Sequence, residues 1–341
     1  MIRIRDISLP YQADMGAVLE QTAKILRVKT LEIGALKVCK KSIDARKKPN
    51  IQVIYTIDVT VHQDEVKLLK RLRNPKLSIA KESTYAPPTD SNLTTRPVIV
   101  GFGPAGMFAG LVLAEAGLKP LILERGYDVD TRKAMVDDFW QNRNLNPHCN
   151  VQFGEGGAGT FSDGKLNTGV KNPRIGWILK RFVEFGAKED ILWDAKPHVG
   201  TDVLMDVVKN LRNHIIALGA EVKFGCQMSE IHHENSQITG ISYIKDGKNH
   251  EISCDNLILA TGHSARDTFQ ALHDQGVPME AKPFSMGVRI EHLQKDLDTA
   301  QYGKQTAQLP PADYKLAVHL DDDQSAYTFC MCPGGYVVAS A

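Results

Sequence analysis

Apolar and polar residues alternate from Ile2 to Leu9, the period of two that predicts a strand with one buried face. The period then lengthens. Val18, Leu19, Thr22, Ala23 and Leu26 share one side of a helix, and the β-branched run from Ile51 to Val59 predicts a second strand. This front part reads as a small α+β unit over residues 1–82, followed by a linker, 83–96, rich in Ser, Thr, Pro and Asn and without period. Three-residue apolar strands come next, Val98-Ile99-Val100 and Leu121-Ile122-Leu123. They flank a helix over 104–116 whose Met107, Phe108, Leu111 and Val112 form its apolar side and whose stop is Gly117.

Further along, Thr201 is placed to cap a helix carrying Leu204, Val207, Val208, Leu211 and Ile215, and a strand follows from Glu221 to Phe224. An antiparallel pair, Ile238 to Lys245 and His250 to Ser253, turns at Asp246-Gly247 and leads into Leu257-Ile258-Leu259. Beyond residue 280 the strand-like runs are Met286 to Ile290, Lys315 to Leu320, Tyr327 to Met331 and Tyr336 to Ala339. The fold class expected is α/β: a Rossmann-type unit over 97–280, the small α+β unit in front, and an antiparallel sheet added over 281–341.

Composition changes this picture little. In 341 residues, 43% hydrophobic and 24% charged, there is enough apolar material for two or three cores. No apolar run approaches the roughly eighteen residues of a membrane span. The start, Met1 to Arg5, lacks the apolar stretch of a signal peptide, so the expected location is the cytoplasm. The six cysteines are mostly scattered, which suits reduced thiols. Charge is more informative, because the net +1 hides +9 in residues 1–81 against −8 in the remainder. Two oppositely charged units explain that split, and a polyanion-binding front unit is the alternative.

Between the first apolar strand and its helix lies Gly101-Phe102-Gly103-Pro104-Ala105-Gly106. Here Gly101 permits a sharp turn, Gly103 lets backbone approach a pyrophosphate, and Gly106 allows close packing of helix on strand. Pro104 suits a first helical position, and the free N–H groups of that turn, Ala105 among them, would face the phosphates. Glu124 ends the second strand, eighteen residues after Gly106, where a carboxylate accepts hydrogen bonds from ribose hydroxyls. A 2′-phosphate would be repelled there even with Arg125 alongside, which leaves FAD or NAD.

The Gly-x-Gly-Pro-Ala-Gly start, Glu124-Arg125-Gly126, the segment Gly154 to Leu166, and Ala260-Thr261-Gly262 together resemble FAD-containing dehydrogenases of the glutathione-reductase structural type. More narrowly the chain resembles a group of bacterial FAD-dependent, or NAD(FAD)-utilising, dehydrogenases. Ala260 to Asp267 and Pro283 to Arg289 carry further parts of that likeness. The resemblance implies that Gly156, Gly157 and Thr160 lie near the flavin and its pyrophosphate, that Ala260, Thr261 and Gly262 close over the nucleotide, and that the Met228 backbone meets adenine. It also implies a late Gly-Asp segment holding the ribityl chain; none follows Gly262, so the chain is expected to be a C-terminally truncated piece. With no second Gly-x-Gly-x-x-Gly, any NAD(P)H would act as a diffusible electron donor.

These readings favour an FAD-dependent oxidoreductase acting on a small-molecule substrate, with no catalytic residue assigned. Lys165 and Arg289 are candidates for holding an anionic substrate or tuning the flavin. Cys330 and Cys332, two apart on an expected strand, read first as buried structural thiols, with a redox pair as the alternative; two ligands do not make a zinc site, and no metal is expected. His263 is a candidate acid or base beside a plainer hydrogen-bonding role. An RNA-associated flavoprotein would use Lys40, Lys41, Arg46, Lys47, Lys48, Lys67, Lys70, Arg71 and Arg73 to grip phosphates, although no aromatics interleave with them. A non-catalytic flavin-binding protein is the third reading.

Overall fold

The computed structural model describes the chain except residues 82, 83, 90–92, 94, 163, 167, 305–308, 322, 323, 336 and 341. The front part folds as β1 (Ile2–Pro10), α1 (Met15–Leu26), β2 (Ile33–Asp44), β3 (Gln52–Val61), α2 (Glu65–Leu72) and β4 (Leu77–Ile79). Its antiparallel sheet has the order β2-β3-β1-β4. Ile2, Ile4 and Ile7 all reach the core although their spacing changes, because the register slips between Ile4 and Ile7, where Asp6 takes a positive φ of 56°. Both helices start on an aspartate. Asp14 accepts from the Ala17 N–H, and Asp64 from those of Val66 and Lys67.

The long strand β2 was not evident from the sequence, because its apolar residues are thinned by lysines as in a strand with an exposed face. Its outer edge is paired: the Lys41 N–H donates to the Trp193 carbonyl and the Ala195 N–H to the Lys41 carbonyl, both at 2.8 Å.

Next in the chain come β5 (Val98–Val100), α3 (Pro104–Glu115), β6 (Leu121–Leu123), α4 (Val129–Asn142), α5 (Arg174–Glu184), α6 (Thr201–Ala217) and β7 (Glu221–Lys223). Then follow β8 (Gln227–Glu234), β9 (Gln237–Lys245), β10 (Lys248–Ser253), β11 (Leu257–Leu259) and α7 (Arg266–Asp274). Strands β11-β5-β6-β7 form a parallel sheet, and β10-β9-β8 an antiparallel one. One core packs Ile99, Phe102 and Ile122 against α3 and α6, through Leu111, Val207, Leu211 and Ile215 among others. A second core joins Val98, Val100, Leu121 and Leu123 to the antiparallel sheet through Met228, Ile241 and Tyr243. Thus the parallel sheet is covered on both faces, which is why its strands are continuous apolar triplets. Asp246 and Gly247 both have positive φ, as the tight turn between β9 and β10 requires.

Helix α6 differs from expectation at its start. Gly200, not Thr201, is the cap residue, and the Thr201 hydroxyl donates to the Ser162 carbonyl at 2.7 Å, tying α6 to the second glycine-rich segment.

The largest departure lies beyond residue 280. The chain there forms α8 (Gln294–Tyr302), β12 (Ala317–His319) and β13 (Ser325–Tyr327), and among the described residues the last two pair only with each other. The strand expected from Met286 to Ile290 is absent: Phe284, Met286 and Val288 are 80%, 85% and 93% exposed, and no ladder pairs these residues with another strand among the described residues. The run Tyr327 to Met331 likewise lacks strand beyond Tyr327, and Tyr336, where the final strand was expected to start, lies outside the described residues. Cys330 is therefore exposed on irregular backbone with φ 50° and Cys332 is half-buried, correcting the expectation of buried thiols on a strand.

Candidate dinucleotide cleft

At the carboxyl ends of β5, β6 and β11 a cleft of about 590 Å³ opens between the two glycine-rich segments. Its first wall is the turn after β5. Gly101 has φ +100°, and a Cβ there would sit 2.3 Å from the Ala260 carbonyl oxygen, so the turn can pass Ala260 only as glycine. Gly103 caps α3, Pro104 is its first residue, and Ala105 also lines the cleft. The open end of a twelve-residue helix thus presents N–H groups and the positive end of its dipole to the cavity. Gly106 is buried behind this wall, within the helix.

The facing wall is the second glycine-rich segment. Gly157 lies against Gly103, whose Cβ, if present, would be 3.5 Å from the Gly157 Cα. The Gly156 N–H donates to the Phe102 carbonyl at 2.9 Å, fastening the two loops together. Gly157 lines the cleft, but Gly156 and Thr160 do not. Both are buried behind it, and the Thr160 hydroxyl donates away to the Glu155 carbonyl. These two residues, expected near the flavin, thus stand behind the cleft wall and not on its surface.

Glu124, 5% exposed, closes the end of β6. Its Oε1 accepts from the N–H groups of Gly126 and Gly154, and its Oε2 from that of Phe102 at 2.7 Å. A carboxylate oxygen can take two donors, so Oε2 retains capacity for a ribose hydroxyl. Glu124 thus does more than the sequence reading asked of it, holding both glycine segments in place. Arg125 lies beside it, its guanidinium over the Phe153 ring and bonded to Asp267 and Thr268 of α7. Burial raises the Asp267 pKa, but hydrogen bonding and charge from Arg125 outweigh it and hold the carboxyl below its ordinary range.

Met228 lines the cleft as a buried residue of β8, with Cys226 beside it and Phe269 and Leu272 of α7 adding apolar surface. Ala260, Thr261 and Gly262 line it from the end of β11, followed by His263 and Ser264, whose Nδ1 and Oγ are 2.8 Å apart. The contribution of α7 was missed, although Thr268 and Leu272, four residues apart, carry a helical signal. Lys165 and Arg289 are not brought to the cleft lining: the Lys165 backbone forms an isolated β-bridge with His198, and Arg289 sits in the exposed segment beyond residue 280.

Two buried charged residues behind the second loop were not singled out by the sequence at all. Glu155 and Arg132 are each fully buried. Burial, opposed by Arg212 and the Val129 N–H, pushes the Glu155 pKa up to about 7. Burial likewise pushes Arg132 down to about 10, against the pull of Glu124, Cys149 and Glu155.

The basic residues of the front part are partly engaged. Arg46 pairs with Asp44, Lys67 with Asp64, and the Lys48 ammonium donates to the Ala300 carbonyl; the backbone of Lys41 carries the pairing with residues 193–195.

Residues 283–341 match a family described as FAD-dependent protein, C-terminal domain-like, and residues 1–60 match a domain of unknown function, DUF8436. A curated relative from Clostridium beijerinckii, described as an uncharacterized protein, is 42% identical over 345 residues. That match covers 100% of this chain and 64% of the relative, so the chain spans just under two thirds of the relative's length. Among solved structures, THI4 of Thermovibrio ammonificans is 17% identical with a TM-score of 0.37, covering 54% of this chain and 64% of that one. Thioredoxin reductase of Lactococcus lactis is 14% identical with a TM-score of 0.25, covering 49% and 35%. Both likenesses are remote. FAD is the cofactor supported for this chain, through the match of residues 283–341.

The cleft fits the adenosine-diphosphate half of that cofactor. The glycine apposition lets the two loops meet at the α3 terminus with no side chain between them, Glu124 has acceptor capacity, and Met228 and Leu272 offer an apolar bed for a planar base. Among the described residues no helix is long and apolar enough to cross a membrane.

Proposed function

We propose that this chain forms a Rossmann-type FAD-binding unit of an FAD-dependent oxidoreductase acting on a small molecule. The observation that carries the reading is the apposition of Gly103 and Gly157 at the open end of α3, with Glu124 bonded to both glycine segments. In this reading the N–H groups at the start of α3 bind the pyrophosphate, Glu124 Oε2 accepts from the ribose, and Met228 with Leu272 sandwiches the adenine edge of the cleft. Bound FAD supplies hydride or electron transfer. Gly262, His263 and Ser264 continue the lining beyond the pyrophosphate and would orient the distal half of the dinucleotide. The front α+β unit and residues 281–341 would then border the substrate side, with NAD(P)H as a diffusible donor.

The test is an absorbance spectrum of the purified protein after incubation with FAD and gel filtration, followed by anaerobic addition of NADH or NADPH. Retained flavin that bleaches on addition supports an oxidoreductase. Flavin that is retained but bleached by neither donor, and that after reduction with dithionite passes its electrons to none of the small-molecule acceptors offered, would point to a non-catalytic binder, and no retained flavin would contradict the reading.

A further inference from the structure

Glu155 is where the second glycine-rich loop is joined to the fold. Its N–H donates to the Tyr127 carbonyl at 3.0 Å, and its own carbonyl accepts from Arg132 and Thr160. Its carboxylate Oε2 accepts from the Val129 N–H, in the first turn of α4, at 2.7 Å and from Arg212 of α6 at 2.8 Å. The other oxygen, Oε1, is buried and has no hydrogen-bond partner among the described residues. An unsatisfied buried acceptor is unusual in a folded protein, and an apolar residue would avoid its cost. Directly after Glu155 come Gly156, bonded to Phe102, and Gly157, which meets Gly103 across the cleft. The placement of the cleft wall is therefore set by a carboxylate that does not itself line the cleft.

Arg132 reinforces the arrangement from the same side. Its guanidinium donates to the carbonyls of Asn150, Val151, Gly154 and Glu155, and at Gly154 a Cβ would lie 2.5 Å from its Cδ. The charged groups facing Glu155 are Arg212 of α6, Arg132 of α4, and Asp128 and Asp130 at the start of α4, the last held by Lys209 of α6; Glu124 faces Arg132 from β6.

Resting on the FAD-binding reading, we propose that Glu155 is a positioning residue for the dinucleotide: its ionised carboxylate, by bridging α4 and α6, holds the second loop where Gly157 meets Gly103, so that cofactor affinity follows its ionisation. Protonation weakens the bridge to Arg212, because a neutral carboxyl holds the guanidinium less strongly than a carboxylate does. The carboxyl's displaced titration range, near neutrality, puts this coupling within reach of ordinary buffers.

The test measures the dissociation constant of FAD between pH 6 and pH 8.5 for the full chain and for Glu155→Gln, with Arg212→Gln as a second variant that keeps the carboxylate. Amide hydrogen exchange of residues 154–160 is followed in the cofactor-free proteins, and thermal midpoints confirm that each is folded. The wild-type affinity should rise about tenfold with pH across this range, while Glu155→Gln binds about tenfold more weakly at pH 8.5 and shows no such rise. The loop amides should exchange faster in both variants. An unchanged pH profile in Glu155→Gln, or unchanged loop protection, overturns the proposal. If the wild-type chain takes up no FAD at any pH, the FAD reading fails, and the exchange data alone decide whether Glu155 fixes the loop.

Discussion

Arg125 and Asp267 form a two-pronged ion pair, with Nη1 to Oδ2 at 3.1 Å and Nη2 to Oδ1 at 2.9 Å, across the mouth of the cleft between the end of β6 and the start of α7. The cation nearest the diagnostic ribose position is thus already committed, and Glu124 and Asp267 leave that corner net negative. Asp267→Asn should therefore raise affinity for 2′-phosphorylated ADP-ribose relative to ADP-ribose, by roughly fivefold, a modest change because the pair is partly exposed. Competition calorimetry with the two compounds checks it, and an unaltered ratio would show that Arg125 plays no part in the choice.

A methyl group at position 157 would meet Gly103 Cα and Pro104 Cδ, each at 3.0 Å, on a backbone with φ +67°. Gly157→Ala should cost about 1–2 kcal/mol of stability and reduce FAD affinity by more than roughly tenfold, because the methyl forces apart two loops that are already in contact. Urea unfolding and FAD titration of the same preparation separate the two effects.

Arg132 supports four backbone carbonyls from a fully buried position. Arg132→Met would strand those acceptors and leave Glu124 and Glu155 without their shared cation, at a cost of about 3–5 kcal/mol. Arg132→Lys keeps the charge but not the planar fork, so it should restore only part of the loss. Chemical denaturation midpoints of the three proteins provide the comparison.

Glu155 also predicts a slope in stability against pH. Its folded pKa, about 7, lies above the ordinary value of 4.5, so the folded protein holds a proton that the unfolded chain releases between those limits. Its contribution is complete below about pH 4.5 and is lost as pH rises through 7, a decline of up to roughly 3 kcal/mol. Unfolding free energies at pH 5 and pH 7.5 should converge in Glu155→Gln. Cofactor affinity is expected to run the opposite way over the same range, so the two measurements cannot be mistaken for each other.

The glycine turn, its flanking strands and Glu124 were legible because each is a local requirement: a bend, a close approach, a buried triplet and an acid at a fixed distance. Arg132 and Glu155 were not. In sequence one is a charge on an amphipathic helix and the other a charge in a glycine run, and only the packing of α4 and α6 removes them from water. Likewise β2, rich in lysine, reads as a strand only once β3 is beside it. Alternation from Met286 to Ile290 overstated the order there, since Met286 and Val288 have a strand's pattern but stand exposed on backbone outside any ladder. The candidate residues Lys165 and Arg289 were chosen for charge alone, and charge does not place a side chain in a cleft.

The account depends most on the cleft holding FAD through its adenosine-diphosphate half, and calorimetric titration of the chain with FAD in the absence and presence of ADP tests this directly. The predicted result is a single site for FAD that ADP displaces competitively and that Gly157→Ala abolishes or greatly weakens. Absence of FAD binding, or FAD binding that saturating ADP leaves unchanged, would contradict it.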